Sequence, residues 1–229
     1  MKAVTLSLAT LLLSSSAFAH NTFYGDILLG NTKQSAESTT EWEYQSSFER
    51  DTNTLPKQNS TSLGARLGYQ FTDNFALELS HINFGEIDFI NDEDKDFTLN
   101  EQLKTSANLV ALNGSLPVTD NLALNATFGV AKWKLSAITT VDYVSDDIIL
   151  SIDDKVASKG QSFTDKRDGS DTFISIGLKY DLTENIHLGL EYSMLEIGIS
   201  EKVKDENGTL TTNGSYDLNS LLLVLGIKF

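Results

Sequence analysis

Gln70-Phe71-Thr72-Asp73-Asn74-Phe75-Ala76-Leu77 has a near copy in Pro117-Val118-Thr119-Asp120-Asn121-Leu122-Ala123-Leu124, and its centre returns as Thr183-Glu184-Asn185. Each tripeptide separates two runs in which apolar residues alternate with small or polar ones, the period of a half-buried strand. Thr, Asp and Asn suit tight turns because their side chains bond nearby backbone and Asn tolerates a left-handed φ. Three copies therefore predict three hairpins. One strand before the first hairpin and one after the last, ending on Phe229, bring the number to eight. The expected strands are 22–36, 60–71, 75–86, 104–118, 122–137, 171–182, 186–200 and 217–229. The copies are irregularly spaced, which excludes a fixed-period solenoid.

The remaining connections, 37–59, 87–103, 138–170 and 201–216, are long. Short and long connections in alternation are the signature of an antiparallel up-and-down barrel. Residue parity then assigns the two faces. If Phe229 faces lipid, so do Leu221, Leu223, Leu225 and Ile227, while Ser220, Gly226 and Lys228 face the lumen. Ile186, Leu188, Leu190, Tyr192 and Met194 fall outside in the same way, with His187, Gly189, Glu191 and Ser193 inside. A soluble sandwich inverts this arrangement by burying its apolar rows between sheets. The long strands, the unequal connections and the terminal aromatic favour the membrane. The predicted fold class is all-β: an eight-stranded antiparallel up-and-down transmembrane β-barrel. Phe23, Phe71, Phe75, Tyr180 and Phe229 gather at the short-turn end, as an interfacial girdle should. Lys132 has lipid-facing parity high on its strand, where it is expected to snorkel to the outer interface.

Composition agrees. Residues 1–19 read as a secretory signal: Lys2, a short apolar run from Val4 to Leu13, and Ala17-Phe18-Ala19 as the cleavage site. Residues 20–229 are then the barrel domain. Cysteine is absent, so no disulfide framework or thiolate metal site exists, and only two prolines interrupt the strands. The formal charge of −15 excludes nucleic acid as a partner, since that binding rests on cations.

Several stretches resemble the OmpA-like transmembrane domain within the wider family of small outer-membrane β-barrels (porin-like). They are Leu63-Gly64-Ala65-Arg66-Leu67-Gly68-Tyr69-Gln70-Phe71-Thr72-Asp73-Asn74, Val118 to Leu122, Gly177-Leu178-Lys179-Tyr180-Asp181-Leu182-Thr183-Glu184-Asn185 with Leu190-Glu191-Tyr192, and Leu225-Gly226-Ile227-Lys228-Phe229. The resemblance implies a Gram-negative outer membrane, outer-membrane lipid and lipopolysaccharide as surroundings, and extracellular long loops. It also implies that Phe229 is the assembly signal read by the barrel assembly machinery. Full-length OmpA adds a periplasmic peptidoglycan-binding domain. This sequence stops at its eighth strand, so no tether to the cell wall is expected.

Three constellations bear on function. The first is lumenal charge: Asp26, Glu78, Asp181 and Glu191 share the inward parity with Arg66, Lys179 and Lys228. An eight-stranded lumen is narrow enough for side chains to fill it, and buried charges must pair. This set is either a structural salt-bridge plug or a gated narrow pore whose pairs exchange partners. The second is catalytic. Glu78, Ser80 and His81 are neighbours, but alternation turns His81 away from the other two. His187 lies beside a short turn and His20 at the mature terminus, so no triad assembles and no enzyme activity is expected. The third is the acidic loops. Asp92-x-Asp94-x-Asp96 begins like a calcium loop, but Phe97 stands where glycine is required and Leu103 where the bidentate glutamate belongs. No cofactor or metal is expected. Residues 138–144 and 148–152 read as a strand extension protruding above the membrane, whose edges suit strand addition to a partner.

The sequence thus predicts a monomeric, non-enzymatic barrel with structural and surface-interaction roles, including adhesion to a host or matrix ligand through four long acidic loops. The alternative is a small-solute or ion channel.

Overall fold

A computed structural model describes residues 22–44, 47–54, 56–93, 97–144, 151–152, 155–156, 158–204 and 208–229. The expected signal segment 1–19 and His20 lie outside these residues, as do Asp94 to Asp96 of the calcium-like stretch and residues 145–150.

The strands are β1 (Thr22–Tyr44), β2 (Ser47–Thr54), β3 (Gln58–Gln70), β4 (Phe75–Glu93), β5 (Phe97–Pro117), β6 (Leu122–Val144), β7 (Ser151–Ile152), β8 (Lys155–Val156), β9 (Ser162–Asp181), β10 (Ile186–Lys204) and β11 (Gly208–Lys228). Every pairing is antiparallel. The ladder runs β11-β10-β9-β6-β5-β4-β3-β1, and β11 pairs again with β1 from Lys228↔Tyr24 upward. Eight strands therefore close into a barrel, so no backbone edge is left open toward lipid. The eight expected strands correspond to β1, β3, β4, β5, β6, β9, β10 and β11.

The Thr-Asp/Glu-Asn repeat has a common geometry. In each turn the threonine hydroxyl accepts from the backbone two and three residues on: Asn74 N (3.3 Å) and Phe75 N (2.9 Å), Asn121 N (3.4 Å) and Leu122 N (3.1 Å), Asn185 N (3.3 Å) and Ile186 N (3.0 Å). The asparagine carbonyl then accepts from the next strand round the barrel, at Ser115 N, Asp181 N and Lys228 N. Threonine closes the turn, and asparagine ties it to its neighbour.

Outward parity holds throughout. Leu67, Leu116, Phe128, Leu223 and Ile227 are among the exposed apolar side chains of the wall. At the turn end Phe23 packs on Tyr69 (4.8 Å) and stacks with Phe229 (6.4 Å). Such a wall is stable only in lipid.

Two expectations change. The four long connections are mostly not loops: β1, β4, β5, β6, β9, β10 and β11 continue well beyond their expected ends. Polar extensions with two wet faces lack apolar alternation, so their pattern reads as loop, while the backbone ladder simply continues. The 138–144 stretch does extend β6, paired to β5 as far as Val144↔Phe97. Second, the strand facing β1 is broken. Pro56 has no donor for the ladder, and β2 and β3 sit on the upper and lower parts of β1 with the register slipped by one residue across the break.

The extensions also part from one another. The β3–β4 ladder stops at Leu63↔Asn83 and the β9–β10 ladder at Phe173↔Leu195. Above these levels β4-β5-β6-β9 and β10-β11-β1-β2 form two separate walls. Gly85, in the left-handed region at φ 81°, sits in a register shift of β4 at the first seam. A side chain there would strain the backbone and run into Thr61 and Ser60.

Candidate functional site: the charged lumen

The inward positions of the lower barrel bring together Asp26 of β1, Arg66 of β3, Glu78 of β4 and Glu191 of β10. One guanidinium nitrogen of Arg66 donates to both carboxylate oxygens of Glu191, at 2.9 and 2.8 Å. Its other nitrogens lie 3.6 Å from Asp26 and 3.5 Å from Glu78. Arg66 is 7% exposed and Glu78 2%. Planar guanidinium suits this post better than an ammonium, because its fixed fork can face several carboxylates at once.

Two further side chains complete the cluster. Tyr24 donates its hydroxyl to Glu78 (2.6 Å), and its ring lies over Gly68, where any β-carbon would collide with it. His187 shares a hydrogen bond with Asp26 (3.0 Å) while its ring meets that of Tyr24 edge-on. Tyr24 has the parity of Asp26, so alternation along β1 could have found it. The sequence places His187 inward, but only closure between β11 and β1 carries it to Asp26.

The other predicted residues divide differently. Lys228 donates to Asp181 at 2.8 Å near the turn end, forming a separate, half-buried pair. Lys179 lines the same cavity as Arg66 and Glu191 but makes no ion pair among the described residues. That cavity holds about 30 Å³, room for a water or two rather than a passage. The expected seven-residue network is therefore a four-residue cluster, a pair and a lone lysine.

Above the charges the lumen is apolar, which simple polar-inside parity did not anticipate. Leu28, Ile82, Leu109, Phe173, Leu195, Leu222 and Val224 are buried there and join Trp133, Phe84, Ile197 and Leu218 in one cluster. The inward positions of β11 include Leu222 and Val224 as well as Ser220 and Gly226. Its buried polar side chains either bond each other, as Thr32 does with Ser62 and Ser220, or serve the seams. Gln34 and Ser60 donate to the carbonyl of Phe84, at 3.1 and 2.5 Å, where the β3–β4 ladder has run out. At the other seam Asp171 accepts from the Trp133 indole (2.7 Å) and from Gly198 N (3.4 Å), spanning β9 to β10.

Glu78, Ser80 and His81 do not converge: His81 faces outward and bonds Asn108 at 2.9 Å. Among the described residues no group of three His, Cys, Asp or Glu side chains is placed to hold a metal ion. In the extension, burial pushes the Glu101 carboxyl above its ordinary range.

The sequence pattern of the outer membrane protein β-barrel domain matches residues 5–229. The chain belongs to that family. It is an integral protein of the outer membrane. No curated protein matches it in sequence. Its backbone is similar to the outer membrane protein OprG from Pseudomonas aeruginosa, at 15% identity and TM-score 0.49, covering 93% of this chain and 99% of that one. It is also similar to Ail, the attachment invasion locus protein of Yersinia pestis, in complex with the heparin analogue sucrose octasulfate (14%, 0.45, 90% and 99%). A third is the outer membrane protease OmpT from Escherichia coli (11%, 0.47, 94% and 99%).

Proposed function

We propose that this family member is a non-enzymatic, monomeric barrel that acts as a closed scaffold and presents its strand extensions as an interaction surface outside the cell. The observation that carries this is the two-storey lumen. The Arg66 cluster is capped by a contiguous apolar layer, and a narrow apolar constriction excludes water and ions. A guanidinium held at 2.8 Å by one carboxylate and flanked by two more is a plug rather than a path.

The extensions support the surface role. Glu37, Asp51, Asp88, Asp142, Asp165 and Glu201 stand exposed on them, so the partner, a host or matrix ligand, would carry basic groups or bridging cations. Phe229, exposed at the turn end, would be the residue that the barrel assembly machinery reads.

Conductance in a planar bilayer tests the scaffold reading. The purified barrel should give no stable openings. Ion-selective openings that change with Glu78→Gln would establish the channel instead. For the surface role, the end of β6 and its connection to β9 can be removed by deleting residues 141–160, which leaves the Trp133–Asp171 link intact. Unchanged binding to host cells or matrix after that deletion would remove this extension as the contact.

A further inference from the structure

Two large apolar side chains stand in water where the wall has already turned polar. Among the side chains described above the apolar belt, only Trp42 (42% exposed) and Val203 (60%) are of this kind. They lie in one row of the β10-β11-β1-β2 wall, Val203 opposite Leu210 and Leu210 opposite Trp42. The row has the parity of the buried Ile197 and Tyr216, so it belongs to the inner face of that wall. Contiguous exposed apolar residues rimmed by polar ones mark a contact surface.

Charge on this face is one-sided. The row below is Glu201, Thr212, Thr40 and Asp51, and the next is Ile199, Gly214, Ser38 and Asn53. The basic residues of the wall above the seams, Lys33, Arg50, Lys202 and Lys204, all take the opposite parity and stand on its outer face. Beside its apolar row the inner face therefore presents carboxylates alone. Between Glu201 and Asp51 the side chains are small. A β-carbon on Gly214 would touch only the carbonyls of Glu37 and Ile199, so the trough is open. Glu201 already receives one guanidinium, since Arg167 reaches it from β9 across the seam at 3.7 Å. Asp51 is exposed and makes no ion pair among the described residues.

We infer that this row binds an extended cationic polypeptide segment, with an arginine over the Trp42 indole and an apolar side chain against Leu210 and Val203. The indole face attracts a cation. Asp51, one strand across and one row down, meets the guanidinium. Neighbouring strands are about 4.8 Å apart, which puts Leu210 and Val203 about 5–10 Å from Trp42. Alternate residues of an extended chain lie about 6.8 Å apart on one face, so the arginine and the apolar residue are two positions apart. This rests on the surface role proposed above and names its contact, on the wall that deletion of residues 141–160 leaves untouched.

The probe is a fluorescein-labelled peptide, Gly-Ser-Arg-Ser-Leu-Ser-Gly, titrated by anisotropy with the full barrel in octyl tetraoxyethylene, a detergent with neither charge nor sugar. Heat-modifiable gel mobility shows that each variant is folded. Exchanging the arginine for citrulline, which keeps the shape and loses the charge, should weaken binding about fivefold. Trp42→Leu should do the same, while Trp42→Phe keeps an aromatic face and should retain most of the affinity. Asp51→Asn should cost about threefold. Glu43→Gln, which removes the same charge from the outer face, should change nothing. Equal binding of the citrulline peptide, unchanged binding to Trp42→Leu, or a loss with Glu43→Gln as large as with Asp51→Asn would overturn the inference. So would full competition by a neutral oligosaccharide such as cellohexaose, which would mark a sugar platform. Adhesion of the same barrels to host cells or matrix separates the two readings. Adhesion without peptide binding keeps the surface role and removes this site; peptide binding without adhesion keeps the site and removes the role.

Discussion

Replacing Arg66 by methionine tests the lumenal cluster most severely. The change keeps an unbranched apolar stem and deletes the only lysine or arginine within 4 Å of Asp26, Glu78 and Glu191 among the described residues. Three carboxylates would remain in a lumen where Glu78 and Glu191 are 2% and 7% exposed, with Tyr24 and His187 as their side-chain partners among the described residues. Removing one partner of a buried pair costs about 3–5 kcal/mol, because the charge left behind is uncompensated. With a slope of about 3 kcal/mol per molar urea, the unfolding midpoint should fall by roughly 1–1.7 M. The assay is urea unfolding of barrels refolded in phosphatidylcholine vesicles. It is followed by tryptophan fluorescence in a Trp42→Phe background, which leaves Trp133, buried in the lumen, as the reporter. Adding Glu191→Gln removes the most tightly held carboxylate and should restore part of the loss, a coupling of about 0.5–3 kcal/mol. A wild-type midpoint for Arg66→Met, or strictly additive losses, would refute the cluster as a structural element.

The apolar storey predicts a different response: Phe173→Ala, at a side chain 2% exposed, should cost about 3–5 kcal/mol in the same unfolding assay, with little dependence on pH. Glu101 predicts the reverse pH trend to an ordinary paired carboxylate. Its folded-state pKa is raised by burial, so its contribution is fully present below the unfolded pKa and lost as pH rises through the folded one. Glu101→Gln should therefore stabilise the extension at neutral pH and change little in acid, read by hydrogen exchange of β5 amides.

How far alternation alone reaches is shown by β10. His187, Gly189, Glu191 and Ser193 were correctly inward because a strand places side chains on opposite faces whatever surrounds it. The same rule carried on along β10 puts Leu195 and Ile197 inside, and nothing in a polar-lumen expectation prepares for them. Lys179 and Lys228 share parity with the acidic residues, yet among the described residues only Lys228 forms an ion pair, since parity says which face a charge is on and not at what height. The extensions were read as loops because a strand wetted on both faces has no period to detect.

By itself the sequence determined the turns, the direction of each strand and the face each side chain takes. These are local consequences of Thr-Asp/Glu-Asn chemistry and of a two-residue repeat. Tertiary structure decided everything that depends on register between strands far apart in the chain. It brought Arg66 to Glu191, and His187 to Asp26 across the closure between β11 and β1. It stopped two ladders short to open the seams, and it set Val203, Leu210 and Trp42 in one row across three strands. A barrel's heights are set when the sheet closes on itself, because the pairing of the last strand with the first fixes the stagger of all the others.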